Sequence, residues 1–140
     1  MSKIVMVFGT FDIVHLGHLH MFNEARGYGD ECVAVVARDV NVEKIRGQAP
    51  YNDENARAEF LRSIRAVDRV VLGSIDNPYA VVVEVKPDII ALGYDQKIYV
   101  DKLAEALVNF GLSTEIVRLR PFSPDKYKTT VIKNYCQKHI

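Results

Sequence analysis

The densest chemistry in the chain lies in Gly9-Thr10-Phe11-Asp12-Ile13-Val14-His15-Leu16-Gly17-His18. Two imidazoles three residues apart fall on one face of a helix that starts near His15. The first turn of such a helix offers unpaired backbone N–H groups and the positive end of the helix dipole, so it is a ready site for an anion. His15 and His18 add neutral or cationic donors, and Thr10 adds a hydroxyl. Gly17, between them, is expected to leave space where a sugar or base can press on the helix. No side chain here pairs a nucleophile with a base, so a covalent mechanism is not suggested. Three readings compete. The histidines cap and pack; or Asp12, His15 and His18 hold zinc or iron; or the turn binds phosphate. The chain lacks a Gly-x-x-x-x-Gly-Lys-Ser/Thr run, which excludes a P-loop.

These residues need a scaffold. Five β-branched runs recur, at 4–8, 33–37, 69–72, 89–92 and 114–119; continuous apolar stretches among them, such as Val33-Ala34-Val35-Val36-Ala37, have the pattern of strands buried on both faces of a parallel sheet. Helices are expected over 17–28, 53–65, 78–85, 99–110 and 128–138. Asn52-Asp53 supplies an N-cap, and Gly111 marks a stop. This alternation predicts an α/β fold: one Rossmann-like, doubly wound domain over 1–140 with a five-stranded parallel sheet. Ligand then belongs beyond the carboxyl ends of the strands, where strand order reverses. The segments there are 9–18, 38–48, 73–78, 93–97 and 120–130. Three of them open with glycine (Gly9, Gly73, Gly93), which allows backbone close to a ligand.

Composition narrows the class. The chain has 140 residues, 49% hydrophobic and 26% charged, which excludes disorder and collagen-like repeats. No apolar run approaches the roughly 20 residues of a membrane helix. Lys plus Arg and Asp plus Glu each number 18, so no net field favours nucleic acid or a membrane surface. The charge is nonetheless uneven. Residues 118–140 carry six basic side chains against Asp125 alone, leaving the first 117 residues at −5. That tail is either a solvated face or a source of cations for a phosphorylated ligand. Two cysteines, Cys32 and Cys136, make no disulfide framework and are expected to be reduced thiols in a cytoplasm.

The segment from Gly9 to His18 resembles the H-x-G-H signature of the cytidylyltransferase-like nucleotidyltransferases. The resemblance implies transfer of a nucleotidyl group from a nucleoside triphosphate to a phosphate, with release of pyrophosphate. It assigns His15 and His18 to charge stabilisation at the α-phosphate, and Gly9, Thr10, Phe11, Leu16 and Gly17 to the nucleotide site. A divalent ion, Mg²⁺, is implied on the triphosphate, with no metal ligand from the protein. In Val42-Glu43-Lys44-Ile45-Arg46-Gly47 the family often places a cation that reaches the phosphates, here Lys44 or Arg46. Arg57 is implied as a contact to acceptor or phosphate, while Arg65 is expected to pair with Asp68 or a neighbouring subunit. In Gly93-Tyr94-Asp95-Gln96 the family holds ribose or base, so Gly93 and Asp95 carry over; the rival role for Asp95 is an N-cap of the next helix.

The segment from Arg120 to Ile132 is similar to the family's second motif, which grips the β- and γ-phosphates. Thr129 and Thr130 match, with Arg120 and Lys128 as candidate phosphate contacts. Lys128 stands where glycerol-3-phosphate cytidylyltransferases carry Ser in R-T-E-G-I-S-T-T, which weakens the cytidylyl reading. Across nearly the whole chain, Val36-Ala37-Arg38-Asp39, Leu72-Gly73-Ser74, Lys86-Pro87-Asp88-Ile89-Ile90 and Leu92-Gly93-Tyr94-Asp95-Gln96 look most like archaeal-type FAD synthases. The reaction implied is ATP plus FMN giving FAD and pyrophosphate, with small-molecule substrates, no nucleic acid or membrane partner, and a homodimer. Glycerol-3-phosphate cytidylyl transfer, adenylyl transfer to a heptose phosphate, and a non-catalytic nucleotide-binding module are the alternatives.

Overall fold

The structure is a computed structural model that describes residues 2–97 and 102–139. Strands β1 (Ile4–Gly9), β2 (Glu31–Val36), β3 (Arg69–Leu72), β4 (Ile89–Leu92) and β5 (Glu115–Arg118) form one parallel sheet in the order β3-β2-β1-β4-β5. The uninterrupted apolar runs have the expected cause. Alternate side chains face opposite layers, and both layers are dry. Val5, Val7, Cys32, Ala34, Val36, Ile89 and Ala91 join one core with Phe22, Ala25, Ala58 and Leu61. Met6, Val33, Val35, Ile90 and Leu92 join the other with Val81, Val82, Leu103 and Leu107.

The helices are α1 (Leu16–Arg26), α2 (Asp39–Arg46), α3 (Glu54–Arg62), α4 (Ala80–Val85), α5 (Leu103–Asn109) and α6 (Thr129–Lys138). Asp53 caps α3 by accepting from the Ala56 N–H at 2.8 Å. After α5, Gly111 takes a left-handed φ of 69°. The expected helices 17–28 and 53–65 end earlier, at Arg26 and Arg62, and 78–85 starts later, at Ala80. Residues 99–101 of the expected fourth crossover helix lie outside the described residues. Helix α2 falls in the segment after β2, where no helix was expected. Its first free N–H, on Asp39, donates to Glu54 Oε1, while the Glu54 N–H donates to Asp39 Oδ2. This reciprocal cap comes from 15 residues away, and Gly47 in the left-handed region ends the helix.

The chain moves outward from β1 through β2 to β3, then crosses back to β4 and β5 on the other side. Strand order therefore reverses between β1 and β4. The pairing of these strands covers Val5 with Ile89 and Met6 with Ile90, whereas β1 and β2 stay paired to Gly9. The two central strands thus part toward their carboxyl ends, and a crevice opens there.

Candidate active site at the strand-order reversal

A cavity of about 720 Å³ occupies this crevice. Its walls come from the segments after all five strands and from the start of α6, as the parallel sheet requires.

The two histidines make the geometry of the first turn. His15 is the N-cap of α1, and its Nδ1 accepts from the Gly17 N–H at 3.1 Å. The His18 Nδ1 accepts in turn from the His15 N–H at 3.2 Å. This is a capping box built from two imidazoles, so the capping reading and the phosphate reading are compatible: one nitrogen of each ring caps, and the other remains. A nitrogen that accepts from an amide carries no proton, so the proton of each neutral ring sits on Nε2. The rings lie 4.0 Å apart between centroids. Burial pulls His18 down to about 4, with the neighbouring His15 adding to the effect and Asp95 opposing it. Burial also lowers His15. Both rings are therefore neutral N–H donors at neutral pH.

The residues leading into the turn hold it rather than face a ligand alone. Phe11 takes a left-handed φ of 56° and is buried, its ring 5.3 Å from Phe22 and edge-on to His18 at 5.8 Å. A Cβ on Gly9 would sit 2.7 Å from that ring. Gly9 is glycine because Phe11 folds back over it, not only to admit a ligand. Asp12 is turned to the chain: Oδ2 accepts from the Tyr51 N–H and Oδ1 from the Asn52 N–H, at 2.7 and 2.9 Å. Burial raises its carboxyl, but these N–H groups outweigh that and hold it below the usual value. Among the described residues Asp12, His15 and His18 do not come together as a group that could hold a metal ion.

Several placements differ from expectation. Gly17 leaves no open space; a Cβ there would lie 2.9 Å from the Tyr127 carbonyl and from the His15 ring. The absent side chain lets the entry to α6 approach α1. Stacking fixes that approach: His20 lies 3.5 Å over Phe122, and Tyr127 lies parallel to Phe122 at 5.9 Å. Lys128, Thr129 and Thr130 thereby reach the cavity at the start of α6. Arg57 touches no ligand space. It is fully buried and bound to Thr10, Asp39 and Asn52. Leu16 and Lys44 are exposed and stand outside the cavity wall, whereas Thr10, Arg46, Gly93, Asp95 and Arg120 lie in it. Asp68 pairs with Arg26 and accepts from the Cys32 N–H, so Arg65 does not take it. Asp95 does not cap α5, whose N-cap is Lys102; it stands 3.7 Å from Lys128.

Gln96 has a role that its mention in Gly-Tyr-Asp-Gln did not suggest. Its Oε1 accepts from the Gly93 N–H and its Nε2 donates to the Phe8 carbonyl, each at 2.7 Å. The side-chain amide thus acts as a missing peptide unit, joining β1 and β4 where their ladder has stopped. Arg118 donates to the Gly93 and Gln96 carbonyls and fixes the turn.

The match to known proteins covers the same ground. The model of the cytidylyltransferase-like family matches residues 6–135. An FAD synthase of Korarchaeum cryptofilum is 45% identical over 97% of this chain and 96% of its own. An FAD synthase of Thermoplasma acidophilum is 42% identical over 92% and 90%. A crystal structure from Thermoplasma volcanium GSS1, named a lipopolysaccharide core biosynthesis protein, superposes with a TM-score of 0.82 at 41% identity, over 88% of this chain and all of that one.

Proposed function

Because the chain belongs to the cytidylyltransferase-like family, we propose that it is an FAD synthase, joining FMN to the adenylyl group of ATP. One observation carries the mechanism: two neutral imidazoles share the first turn of α1 at the strand-order reversal, each with Nδ1 committed to a cap. The FMN phosphate is already nucleophilic at neutral pH, so the reaction needs alignment and charge stabilisation rather than a base. A phosphate oxygen of FMN attacks the α-phosphorus of ATP. The bond from that phosphorus to the oxygen bridging to the β-phosphorus breaks, and its electrons leave with pyrophosphate. His15 and His18 donate Nε2–H to the α-phosphate oxygens, where charge develops.

The N–H groups at the start of α6, with Thr129 and Thr130, take the β- and γ-phosphates. Lys128, Arg46 and Arg120 supply positive charge, and the Gly93–Asp95 turn takes the nucleoside. Among the described residues Asp95 is the cavity carboxylate that accepts no backbone N–H; a divalent ion, Mg²⁺, held chiefly by the triphosphate would neutralise phosphate charge there. The arm of the cavity beyond β2 and β3 is lined by Val42, Ile45, Pro78 and Tyr79. A flat tricyclic ring covers such a wall; glycerol leaves it bare. Among the described residues no helix is long and apolar enough to cross a membrane. A cytoplasmic location and a homodimer complete the proposal.

The test incubates the protein and Mg²⁺ with ATP or CTP against FMN, glycerol 3-phosphate or a heptose phosphate, and measures pyrophosphate and the dinucleotide formed. FAD from ATP and FMN is the expected product. Turnover of CTP with glycerol 3-phosphate, or of ATP with the heptose phosphate alone, overturns the assignment. Nucleotide binding without pyrophosphate in any pairing identifies a binding module.

A further inference from the structure

The least explained group in the molecule is the guanidinium of Arg57, with no side-chain exposure. Every arm of its fork is used. Nε donates to the Asn52 carbonyl at 3.0 Å, Nη1 to the Thr10 carbonyl at 2.6 Å, and Nη2 to Asp39 Oδ1 at 2.6 Å. A buried ion pair is a poor way to gain stability, since well-packed apolar residues serve equally well. What an apolar residue cannot do is hold a particular carbonyl. That carbonyl belongs to Thr10, one residue before the strained Phe11. One residue after it, Asp12 accepts from the N–H groups of Tyr51 and Asn52. Both grips come from residues 51–57, the entry to α3, more than 35 residues away in the chain.

We infer that Arg57 is a positioning residue for the reaction: with Asp12 it clamps the turn at Phe11 from both sides, and the clamped Phe11 ring holds the His18 imidazole against α1. A left-handed φ at a bulky residue costs about 1–3 kcal/mol, and it persists only where the surroundings impose it. Here they do so at both flanking residues. The result is a ring edge on His18 that keeps one side of the imidazole dry. The charged and titratable groups around His18 are His15 on its own turn and Asp95 beyond β4, with Lys128 at the head of α6 beside Asp95. None of them is touched by Arg57, so its effect on His18 must pass through the turn. The inference rests on the proposed reaction for its kinetic consequence alone; its structural consequence is read on the imidazole itself.

Arg57→Lys retains a cation for Asp39 but loses the fork that reaches Thr10 and Asn52 together. Folding is checked by circular dichroism, and the His18 imidazole is followed by NMR titration with His20 and His139 as internal references. The expected result is a His18 titration raised by about one unit or more toward its ordinary value, because water reaches the ring. In the same variant kcat falls about ten- to a hundred-fold, with the nucleotide KM within about threefold. A folded variant whose His18 titrates as in the parent overturns the inference, whatever its activity. If Arg57→Lys does not fold, Asp12→Asn weakens the other grip and is read the same way. If neither folds, the parent decides. Slow exchange of the Arg57 Nε–H and a coupling constant reporting positive φ at Phe11 support the clamp; fast exchange or a negative φ overturns it. A parent that makes no FAD while the titration arm behaves as stated refutes the proposed reaction and leaves the clamp standing.

Discussion

The two nitrogens of His18 have separate duties, and substitution can separate them. In His18→Asn, the amide oxygen stands near the place of Nδ1 and can still accept from the His15 N–H, now at 3.2 Å from the ring. The Nε2–H donor is gone. In His18→Ala both are lost. The cap is worth about 1 kcal/mol, so at pH 7 the Ala variant should be about that much less stable than the Asn variant. Turnover should fall about 10²–10³-fold in both, the usual consequence of deleting one donor to a charge that develops in the transition state.

A second signature lies in pH. His18 is depressed from 6.5 to about 4 in the folded protein, first by burial and then by His15. The unfolded chain therefore binds the extra proton between those values, and the stability from the neutral ring is lost as pH falls through that window. From pH 7 to pH 5 the loss is about 2 kcal/mol at most, since solvent reaches part of the ring. His18→Asn should lack this share of the decline. Urea unfolding at pH 7 and pH 5, with pyrophosphate release at pH 7, measures all three quantities. Near-parental turnover in His18→Asn would refute the donor role. An unchanged pH slope would refute the claim that burial holds the ring neutral.

Other perturbations test the scaffold. Gly9→Ala drives a methyl to 2.7 Å from the Phe11 ring, and overpacking of this kind costs about 1–3 kcal/mol, readable as a lower urea midpoint. Asp53→Ala removes the acceptor for the Ala56 N–H and should cost about 1 kcal/mol by the same assay, with kcat unaffected. Cys32 is fully buried and its thiol is raised to about 11 by burial and by Asp68, whereas Cys136 is exposed. Mass spectrometry after iodoacetamide at pH 8 should find Cys136 modified and Cys32 intact until the protein unfolds.

The sheet was legible because its signal is redundant. Each central strand places apolar side chains on both faces, so the runs could be read without knowing their partners, and their alternation with helices pointed to the strand-order reversal, where the cavity lies. Strand β2, whose residues after Glu31 are all apolar and all buried, is the plainest case. What stayed hidden depends on a second segment. Helix α2 buries only Val42, and its cap comes from Glu54, so its local signals reduce to the charges at its two ends and the stop at Gly47. The resemblance implied a ligand contact for Arg57, and the sequence shows its charge but not the Thr10 carbonyl and Asp39 carboxylate that consume it. Gly17 was read as space for a ligand, and the space is filled by a carbonyl 110 residues later. Gln96 carried a readable hint, a lone amide after a strand-end glycine, but its partner on β1 emerges only when β1 and β4 are adjacent.

These misplaced residues share a physical reason that bears on the strictness of the motif. Two side chains suffice to donate hydrogen bonds to a phosphate, yet the turn spends Gly9, Phe11, Asp12 and the distant Arg57 on shape. Two imidazoles 4.0 Å apart would repel if both were charged, and two mobile neutral ones would turn toward water. Each ring must be fixed at Nδ1 and dried on one side before its Nε2–H is worth more to a phosphorane-like transition state than to solvent. The cap supplies the first condition through the backbone of α1. Phe11 supplies the second for His18, and it can do so only in a backbone conformation that must be imposed from outside the turn. The cost of that conformation is borne by α3, whose entry grips the turn on both sides of the strained residue. Donor geometry at α1 is therefore a property of contacts made 40 or more residues away, as well as of the histidines themselves.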